Sequence, residues 1–583
     1  MPGRNMFTVL EETAARWPEL PALYQPYYQG EARKYRVYCW REYREAAVEI
    51  AAGLYQLGIR RGDVVGLDAE TRAEFYLADL GILANGSVAA ALYTAYPPAE
   101  RARMLHRSEA RALFVDNPST LRALKGVADP QTVAHWILLT GEAEGALTLD
   151  DLRRLGRQLL AREPDWIART QAAVRPEDPA ILYLTSGATG EPKMGLVSHA
   201  ALVANADMGP EVLALGPQDS VLAFLPSAHI TQRIVVELVP IRCGVPVWFA
   251  ESLLKLPQEL ALVRPTFFVA PPRLWERVHA TVLTEVRKRP WPLRLLFHAA
   301  LRLGLASVAR RQRGEPVSAW MRPLLKLADA LVFCKIRARF GGRLKVCASG
   351  SAPLGRHLAE FYMAVGVPLV EGYGLTEGGI LTLNPLGRPK AGSIGKCLPG
   401  VEVRLAEDGE LCFRSPTLFS GYYKDSEATA AVLKDGWLAT GDLGEIDGEG
   451  YVYITGRKKE LIVNSSGRKI YPARIETLLK SEPVINQVLL VGDRRPYLTA
   501  LVTINPAVAE TLRVPAEQAV RKAIERVNRQ VAPFEQIRRF RVLQRDFSIE
   551  RGELTPTLKL RRSRALENFR AEIAELYAGR EEC

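Results

Sequence analysis

Four short stretches of this 583-residue chain have residue types and spacings suited to handling a nucleotide. The first is Thr185-Ser186-Gly187-Ala188-Thr189-Gly190-Glu191-Pro192-Lys193, which follows the strand-like run Ala180–Leu184. Glycines and hydroxyls after a strand, closed by a lysine, form a phosphate cradle, because successive backbone N–H groups make an anion nest and the lysine adds charge. It is not the GxxxxGK[ST] loop of ordinary nucleotide hydrolases. Counting from Gly187, Pro192 replaces the second glycine and Met194 the metal-binding hydroxyl. A flexible surface turn would have a similar composition. The second stretch is Glu371-Gly372-Tyr373-Gly374-Leu375-Thr376-Glu377. A dinucleotide GxGxxG needs glycine where Glu377 stands, so that reading fails. Tyr373 offers a face for a purine, Thr376 a hydroxyl for a phosphate oxygen, and Glu377 a hard oxygen ligand for Mg²⁺ carried by ATP. The third pairs Thr440-Gly441-Asp442 with Gly456-Arg457-Lys458-Lys459. Here Asp442 could accept both ribose hydroxyls, with Arg457 as a charged second contact, or the two could form a plain ion pair. The fourth is Leu554-Thr555-Pro556-Thr557-Leu558-Lys559, whose lysine means little alone.

The elements around these stretches predict an α/β protein. Val64–Leu67, Ala112–Val115 and Trp136–Thr140 read as short buried strands, and Ala73–Leu83 as a helix between them, which is the alternation of a sheet architecture. From 395 to 455 the pattern turns short, β-rich and glycine-rich, as in hairpins or a small barrel. A charged break at Gly456–Glu460 precedes a compact α+β piece, with Ile475–Leu479 helical and Val488–Val491 and Thr499–Ile504 as strands. The expected domains are therefore 1–456 and 457–583, in a chain too long for one core. Residues 276–340 are helical and basic, with Arg287-Lys288-Arg289-Pro290-Trp291 and Arg310-Arg311-Gln312-Arg313 flanking Leu295, Leu296 and Phe297. This segment reads as a solvated helical pair with one buried face or as a membrane-surface element, the first being the simpler.

Bulk composition narrows the function classes. Hydrophobic residues make up 48% and charged residues 24%, as in ordinary globular chains. No apolar run reaches the length a spanning helix needs and no secretory leader pattern opens the chain, so a cytoplasmic location is expected. The seven cysteines contain no CxxC pair and the seven histidines no HExxH, which argues against a zinc site or a disulfide framework. The formal net charge of +12 suits polyanionic small molecules or an anionic membrane; no nucleic-acid fold signature accompanies it. Neither Ser186 nor Ser351 sits in GxSxG, which disfavours a serine hydrolase.

Taken together and in this order, the four stretches resemble the adenylate-forming superfamily of acyl-CoA synthetases, luciferases and peptide-synthetase adenylation domains. Residues 185–193 match its TSGTTGxPKG loop except at Ala188, with Met194 in place of the final glycine; Tyr373–Glu377 match YGxTE, 440–442 match TGD, and Gly456–Glu460 match GRxKE. Within the superfamily the chain is most similar to long-chain acyl-CoA synthetases. The similarity is carried by Pro226-Ser227-Ala228-His229-Ile230, by Pro272-Arg273-Leu274-Trp275-Glu276-Arg277-Val278, and by Ser349-Gly350-Ser351-Ala352-Pro353-Leu354. An amino-acid-activating relative would usually carry an aspartate near His229, and none stands there.

The resemblance implies two α/β sheet subdomains and a small β-barrel in a large N-terminal domain, followed by a small mobile α+β C-terminal domain. It implies that ATP or AMP is held by Thr185, Ser186, Gly187, Ala188, Thr189, Gly190 and Lys193, and by Gly350, Ser351, Ala352, Glu371, Gly372, Tyr373, Gly374, Asp442 and Arg457. Lys559, Thr376 and Glu377 would act on the reacting phosphate, with Mg²⁺ on Glu377, and His229 would wall the carboxylate pocket. Arg233, one helical turn on, is placed where it could guard an acyl tunnel. Lys459 would be the hinge, and Ser465, Ser466, Gly467 and Lys469, beside Arg468, would meet coenzyme A. The implied reaction joins a fatty acid to coenzyme A through an acyl-adenylate. The nearest rivals are a fatty acyl-AMP ligase that serves a carrier protein, a synthetase for shorter or aryl acids, and a non-catalytic ATP-binding scaffold; loss of Lys559, Glu377 or Asp442 would have favoured the last, and all are present.

Overall fold

The computed structural model describes residues 3–128, 132–185, 193–509, 514–555 and 558–578. Of the first motif, Ser186, Gly187, Ala188, Thr189 and Gly190 lie outside the described residues, as do Pro556 and Thr557 of the fourth.

Two large mixed sheets build the N-terminal part. One has eight strands in the order Gly421–Tyr422, Lys193–Ser198, Pro179–Thr185, Val88–Ala91, Val64–Asp68, Ala112–Val115, His135–Leu138 and Leu147–Thr148. Its central strands Val64–Asp68 and Val88–Ala91 are parallel and wholly buried, which is why Val64–Leu67 reads as an unbroken apolar run. The helix Ala73–Ala84 is buried on every side and mostly apolar, with Glu74 and Asp79 as its buried charges. The other sheet has nine strands, running from Lys396–Cys397 through Gly379–Leu383, Leu369–Leu375, Val346–Ser349 and Phe267–Ala270 to the hairpin Pro21–Gln29/Ala32–Cys39. The two sheets share one large apolar core.

The small barrel expected at 395–455 takes the form of a branched five-stranded antiparallel sheet. The ten-residue strand Trp437–Ile446 pairs with Glu410–Arg414, Leu433–Lys434 and Val452–Arg457, the last with a register shift at Leu443/Gly444. Among the described residues no pairing closes the ring. Arg457 ends the last of these strands, and the 3₁₀ turn Lys458–Glu460 leads out. Beyond it, strands Ile485–Val491, Leu498–Ile504 and Ile537–Val542 pack with helices Pro472–Lys480 and Ala516–Asn528 around a separate core.

Three helices form the basic insert: Pro272–Arg287, Trp291–Gln312 and Met321–Ala328. Trp291–Gln312 is long and apolar enough on average to cross a membrane, which corrects the reading that no segment is; Arg294 and Arg302 interrupt the run and hid it. Its inner face, Phe297, Ala300, Gly304, Ser307 and Val308, is nevertheless packed on the fold. A Cβ at Gly304 would stand 2.7 Å from the Ala364 carbonyl oxygen.

Candidate active site

The strand Pro179–Thr185 and its antiparallel partner Lys193–Ser198 bracket the phosphate-loop stretch, with Thr185 paired to Lys193. Lys193 Nζ lies 4.5 Å from the centre of the Tyr422 ring, and the Tyr422 hydroxyl donates to Glu377 Oε1 at 2.7 Å. Thr376 stands beside the same strand: a Cβ on Gly195 would meet its methyl at 3.6 Å. The cradle's lysine, Thr376 and Glu377 therefore share one edge of the eight-stranded sheet.

The Glu371–Leu375 run belongs to the strand Leu369–Leu375 of the other sheet, which hairpins into Gly379–Leu383. The glycines are steric requirements: a Cβ on Gly374 would lie 2.4 Å from the Gly379 carbonyl oxygen. The Tyr373 hydroxyl donates to Asp442 Oδ2 at 2.6 Å, and Arg457 Nε meets Asp442 Oδ1 at 3.0 Å. Asp442 and Arg457 face each other as a cross-strand pair, so the ion pair is set by register. Asp442 is almost fully buried, whereas Arg457 remains accessible.

Glu371 has a structural task. Its carboxyl is buried, accepts from the Leu354 N–H at 2.9 Å, and is pushed up to about 8 by burial, so it is protonated at neutral pH. It thereby braces the loop after Val346–Ser349 that carries Gly350, Ser351 and Ala352. Gly350 abuts the Gly372 carbonyl, and Ser351 adopts a left-handed conformation with its hydroxyl 3.2 Å from that of Thr231. That contact ties the loop to the turn carrying His229. His229 Nδ1 accepts from the Thr231 N–H at 3.1 Å, which leaves the proton on Nε2. Burial, helped by the nearby Lys559 cation, lowers its pKa to about 3. A neutral, ordered histidine suits a pocket wall and is unsuited to general-base work at neutral pH.

Lys559 reaches this site from the C-terminal domain. Thr555 N–H donates to Lys559 O at 2.8 Å and Lys559 N–H donates to the Thr555 hydroxyl at 3.0 Å, with Leu558 at φ +61°. Its side chain is open to the cleft between domains while protein crowds it from both sides. Desolvation and then the Arg457 guanidinium lower it to about 8, against the pull of Asp442, Glu377 and Glu460. The domain is docked by Arg561 Nη2 on the Tyr96 hydroxyl at 3.1 Å and by Ser481 Oγ 3.3 Å from His357 Nδ1. His229, Glu377, Asp442, Arg457 and Lys559 are thus gathered from both domains into one electrostatic neighbourhood.

The remaining residues stand elsewhere. Ser465, Ser466, Gly467, Arg468 and Lys469 form an exposed hairpin turn organised by Asn464 Oδ1, which accepts from Ser466 N–H at 3.1 Å and Arg468 N–H at 2.9 Å; the Arg468 guanidinium lies over the Phe534 ring of the same domain. Lys459 is exposed in the turn that leaves Arg457. Arg233 is not a gate: it is fully buried in the π-helical turn Gln232–Leu238, ion-paired to Asp79 and set over the Tyr183 ring, and swinging it out would strand Asp79. Glu237 beside them is held well above the usual carboxylate range by burial and by Asp79. The sequence reading missed Tyr422, Tyr96 and Arg561, which lie outside any motif and are legible only as spatial neighbours.

The gathering of Glu377, Asp442 and Arg457 near Lys559 from the C-terminal domain, with Lys193 beside Glu377, suits an enzyme that binds ATP and activates an acid on it. The AMP-binding enzyme profile matches residues 10–423, and the AMP-binding enzyme C-terminal domain profile matches 459–581. The chain belongs to the AMP-binding enzyme family. It is 34% identical to the long-chain-fatty-acid–CoA ligase FadD15 of Mycobacterium bovis, over 91% of each chain, and 28% identical to the ligase ACSBG2 of Rattus norvegicus, over 98% of this chain and 92% of that one. Among solved structures it resembles the adenylation domain of a Mycobacterium chelonae carboxylate reductase, with a TM-score of 0.77 at 23% identity over 99% of this chain and 92% of that one. A Mycobacterium tuberculosis fatty acyl CoA synthetase gives 0.61 at 21% identity, over 97% and 99%.

Proposed function

We propose that this protein is an ATP-dependent, AMP-forming ligase that joins long-chain fatty acids to coenzyme A. The observation that carries the reading is the convergence of Lys559 with His229, Glu377, Asp442 and Arg457 across the domain cleft, in a chain whose 34% identical relative bears that activity in its name. A fatty carboxyl, with an ordinary pKa of about 4–5, is already anionic at pH 7, so the chemistry needs no base. The obstacle is repulsion between that anion and the α-phosphate. Lys559, protonated below about pH 8, is placed to bridge the two. Asp442, oriented by Tyr373 and Arg457, holds the ribose. Thr376 fixes the α-phosphate, and Lys193 with Thr185–Gly190 receives the outgoing phosphates. Gly350–Ala352 and Glu371–Gly374 frame the nucleotide.

Among the described residues no cluster of side chains could hold a metal alone. A single carboxylate ordered by Tyr422 beside the phosphate lysine fits Mg²⁺ that arrives with ATP, since such ions keep phosphate and water ligands. When bound there, Mg²⁺ would neutralise phosphate charge and ease departure of pyrophosphate.

For thioester formation Lys559 must withdraw to admit the thiol. Rotation about Lys459 would carry the exposed turn Ser465–Lys469 to coenzyme A, with Gly467 allowing close approach and Arg468 or Lys469 meeting phosphate. Use of ATP and coenzyme A agrees with a cytoplasmic enzyme. The test is ATP-dependent thioester formation over fatty acids of graded length, following AMP and pyrophosphate. Product peaking on long chains is expected. Pyrophosphate release without acylation of coenzyme A would reassign the acceptor to a carrier protein, and a peak on short or aryl acids would reassign the substrate.

A further inference from the structure

The stretch Pro272-Arg273-Leu274-Trp275-Glu276-Arg277-Val278 stands apart from the site described above. It opens the first insert helix, and its tryptophan is an anchor. Trp275 is fully buried against the Phe340 and Tyr362 rings, its indole N–H donates to the Ala270 carbonyl at 3.1 Å, and its own carbonyl accepts from the Tyr362 hydroxyl at 2.7 Å. These contacts fix the rotation of the helix's first turns. Arg273 and Glu276, three residues apart, then share a side of the helix and have a set direction.

That side meets the C-terminal domain. The helix Pro472–Lys480 ends beside it: the hydroxyl of Ser481, the next residue, is 3.3 Å from His357 Nδ1, and the His357 ring lies 6.5 Å from that of His279, one turn beyond Glu276 on the insert helix. Lys480 accordingly feels the charges of Glu276 and Arg273, and Arg273 feels Asp546 of the C-terminal domain. On its own domain Lys480 faces Glu476, whose carboxylate accepts from Arg562. The signs alternate through Asp546, Arg273, Glu276, Lys480, Glu476 and Arg562. The second and third of these charges belong to the N-terminal domain and the rest to the C-terminal one.

Arg273 does little for the stability of its own domain, since it is half-buried in the first turn of a helix, where the macrodipole favours anions. Burial lowers Arg273 and Lys480 and raises Glu276, so each charge is disfavoured without the others. The three are joined by no hydrogen bond and neutralise one another through space. A close buried pair resists separation, whereas charges that compensate at longer range can part and meet again in each turnover.

We propose that Arg273 and Glu276 form the seat on which Lys480 sets down when the C-terminal domain delivers Lys559, which makes Glu276 and Lys480 positioning residues for adenylation and not for thioester formation. That role rests on the reading of Lys559 given above, in which it acts in the first half-reaction and then withdraws. The line of charges ends at Arg562, three residues past Lys559, which also donates to the Leu490 carbonyl at 2.7 Å and so ties the lysine's segment to the frame that carries Lys480.

The test compares Glu276→Gln, Lys480→Gln and the double variant in the full-length enzyme. Hydrogen exchange in the segments around Tyr96 and Arg561, whose contact is a separate tie between the domains, reports docking without reference to activity. Its rate should rise at least about threefold in each single variant and no further in the double, because a stranded charge costs more than an absent pair. Carboxylate-dependent pyrophosphate exchange should fall at least about fivefold in each single variant, again with no further loss in the double, as for one truncated partner of a desolvated pair. Thioester formation from supplied acyl-AMP and coenzyme A should stay within about threefold of the parent. Lys480→Arg keeps the charge and should hold pyrophosphate exchange within about threefold. Circular dichroism matching the parent distinguishes an undocked variant from a misfolded one. Unchanged hydrogen exchange and unchanged adenylation in the single variants overturn the proposal. So do losses that multiply in the double variant or fall equally on both half-reactions. If the parent itself exchanges no pyrophosphate, the reading of the reaction fails alone, and coupled hydrogen-exchange rates still carry the docking contact.

Discussion

Replacing Lys559 with alanine should separate the two half-reactions. The ammonium sits among Glu377, Asp442 and Arg457 and is lowered to about 8 by burial and by Arg457. At pH 7 the charged form therefore outnumbers the neutral amine about ten to one, and at pH 9 the ratio inverts. The kcat/KM for adenylation reports the free enzyme. It should be level below pH 8 and fall about tenfold per unit well above it. Loss of one positioned cation aimed at developing phosphate charge costs roughly 3–4 kcal/mol, or about 10²–10³ in rate. Lys559→Ala should lose that much in carboxylate-dependent pyrophosphate exchange, and with it the alkaline limb. Thioester formation from supplied acyl-AMP and coenzyme A should stay within about threefold, since the lysine must leave before the thiol attacks. Equal losses in both halves, or an alkaline limb that survives the substitution, would refute the role and the domain rotation with it.

Other consequences follow from the same geometry. Glu371→Gln should keep adenylation within about threefold, because the carboxyl is already neutral at pH 7 and an amide oxygen can accept from Leu354 N–H; a large loss in steady-state assays would mean that the charge is used. Tyr373→Phe removes the bond to Asp442 and should raise the KM for ATP roughly tenfold, the size of a hydrogen bond to a charged group, with little change in kcat. Arg233→Met leaves Asp79 buried without its cation and should cost about 3–5 kcal/mol in denaturant unfolding; unchanged stability with an altered chain-length profile would restore the gate. Buried His199 and His229 have folded pKa values of about 4 and about 3, below the ordinary 6.5, so the unfolded chain binds more protons between those limits. Their contribution is present above pH 6.5 and lost as pH falls toward 3, roughly 3 kcal/mol or more each. His199→Asn or His229→Asn should flatten that acid limb in unfolding measured against pH.

The Glu371–Glu377 stretch and the Asp442/Arg457 pair stood out in the sequence because close backbone approach and cross-strand pairing demand particular residue types at fixed spacing. Gly374, which abuts the Gly379 carbonyl, is such a case. The buried strands Val64–Asp68 and Ala112–Val115 were legible because strands covered on both faces are apolar throughout. Arg233 was misread because its one-turn spacing from His229 gives its direction along the chain and says nothing of Asp79, which is 154 residues away. Tyr422 and Tyr96 carried no signal, since a tyrosine acquires a role here only through the carboxylate or guanidinium that folding brings to it. The small barrel was legible as hairpins, but whether its edges meet depends on strand twist and register at Leu443/Gly444. The sequence by itself determined the superfamily resemblance, the sheet-forming segments and the order of the nucleotide motifs, because these rest on local residue chemistry. Only the tertiary structure decided that Glu371 is a neutral brace, that His229 is uncharged, and that Lys559 stands in the cleft near Glu377 and Asp442, because burial and the distances between residues far apart in the chain exist only once it is folded.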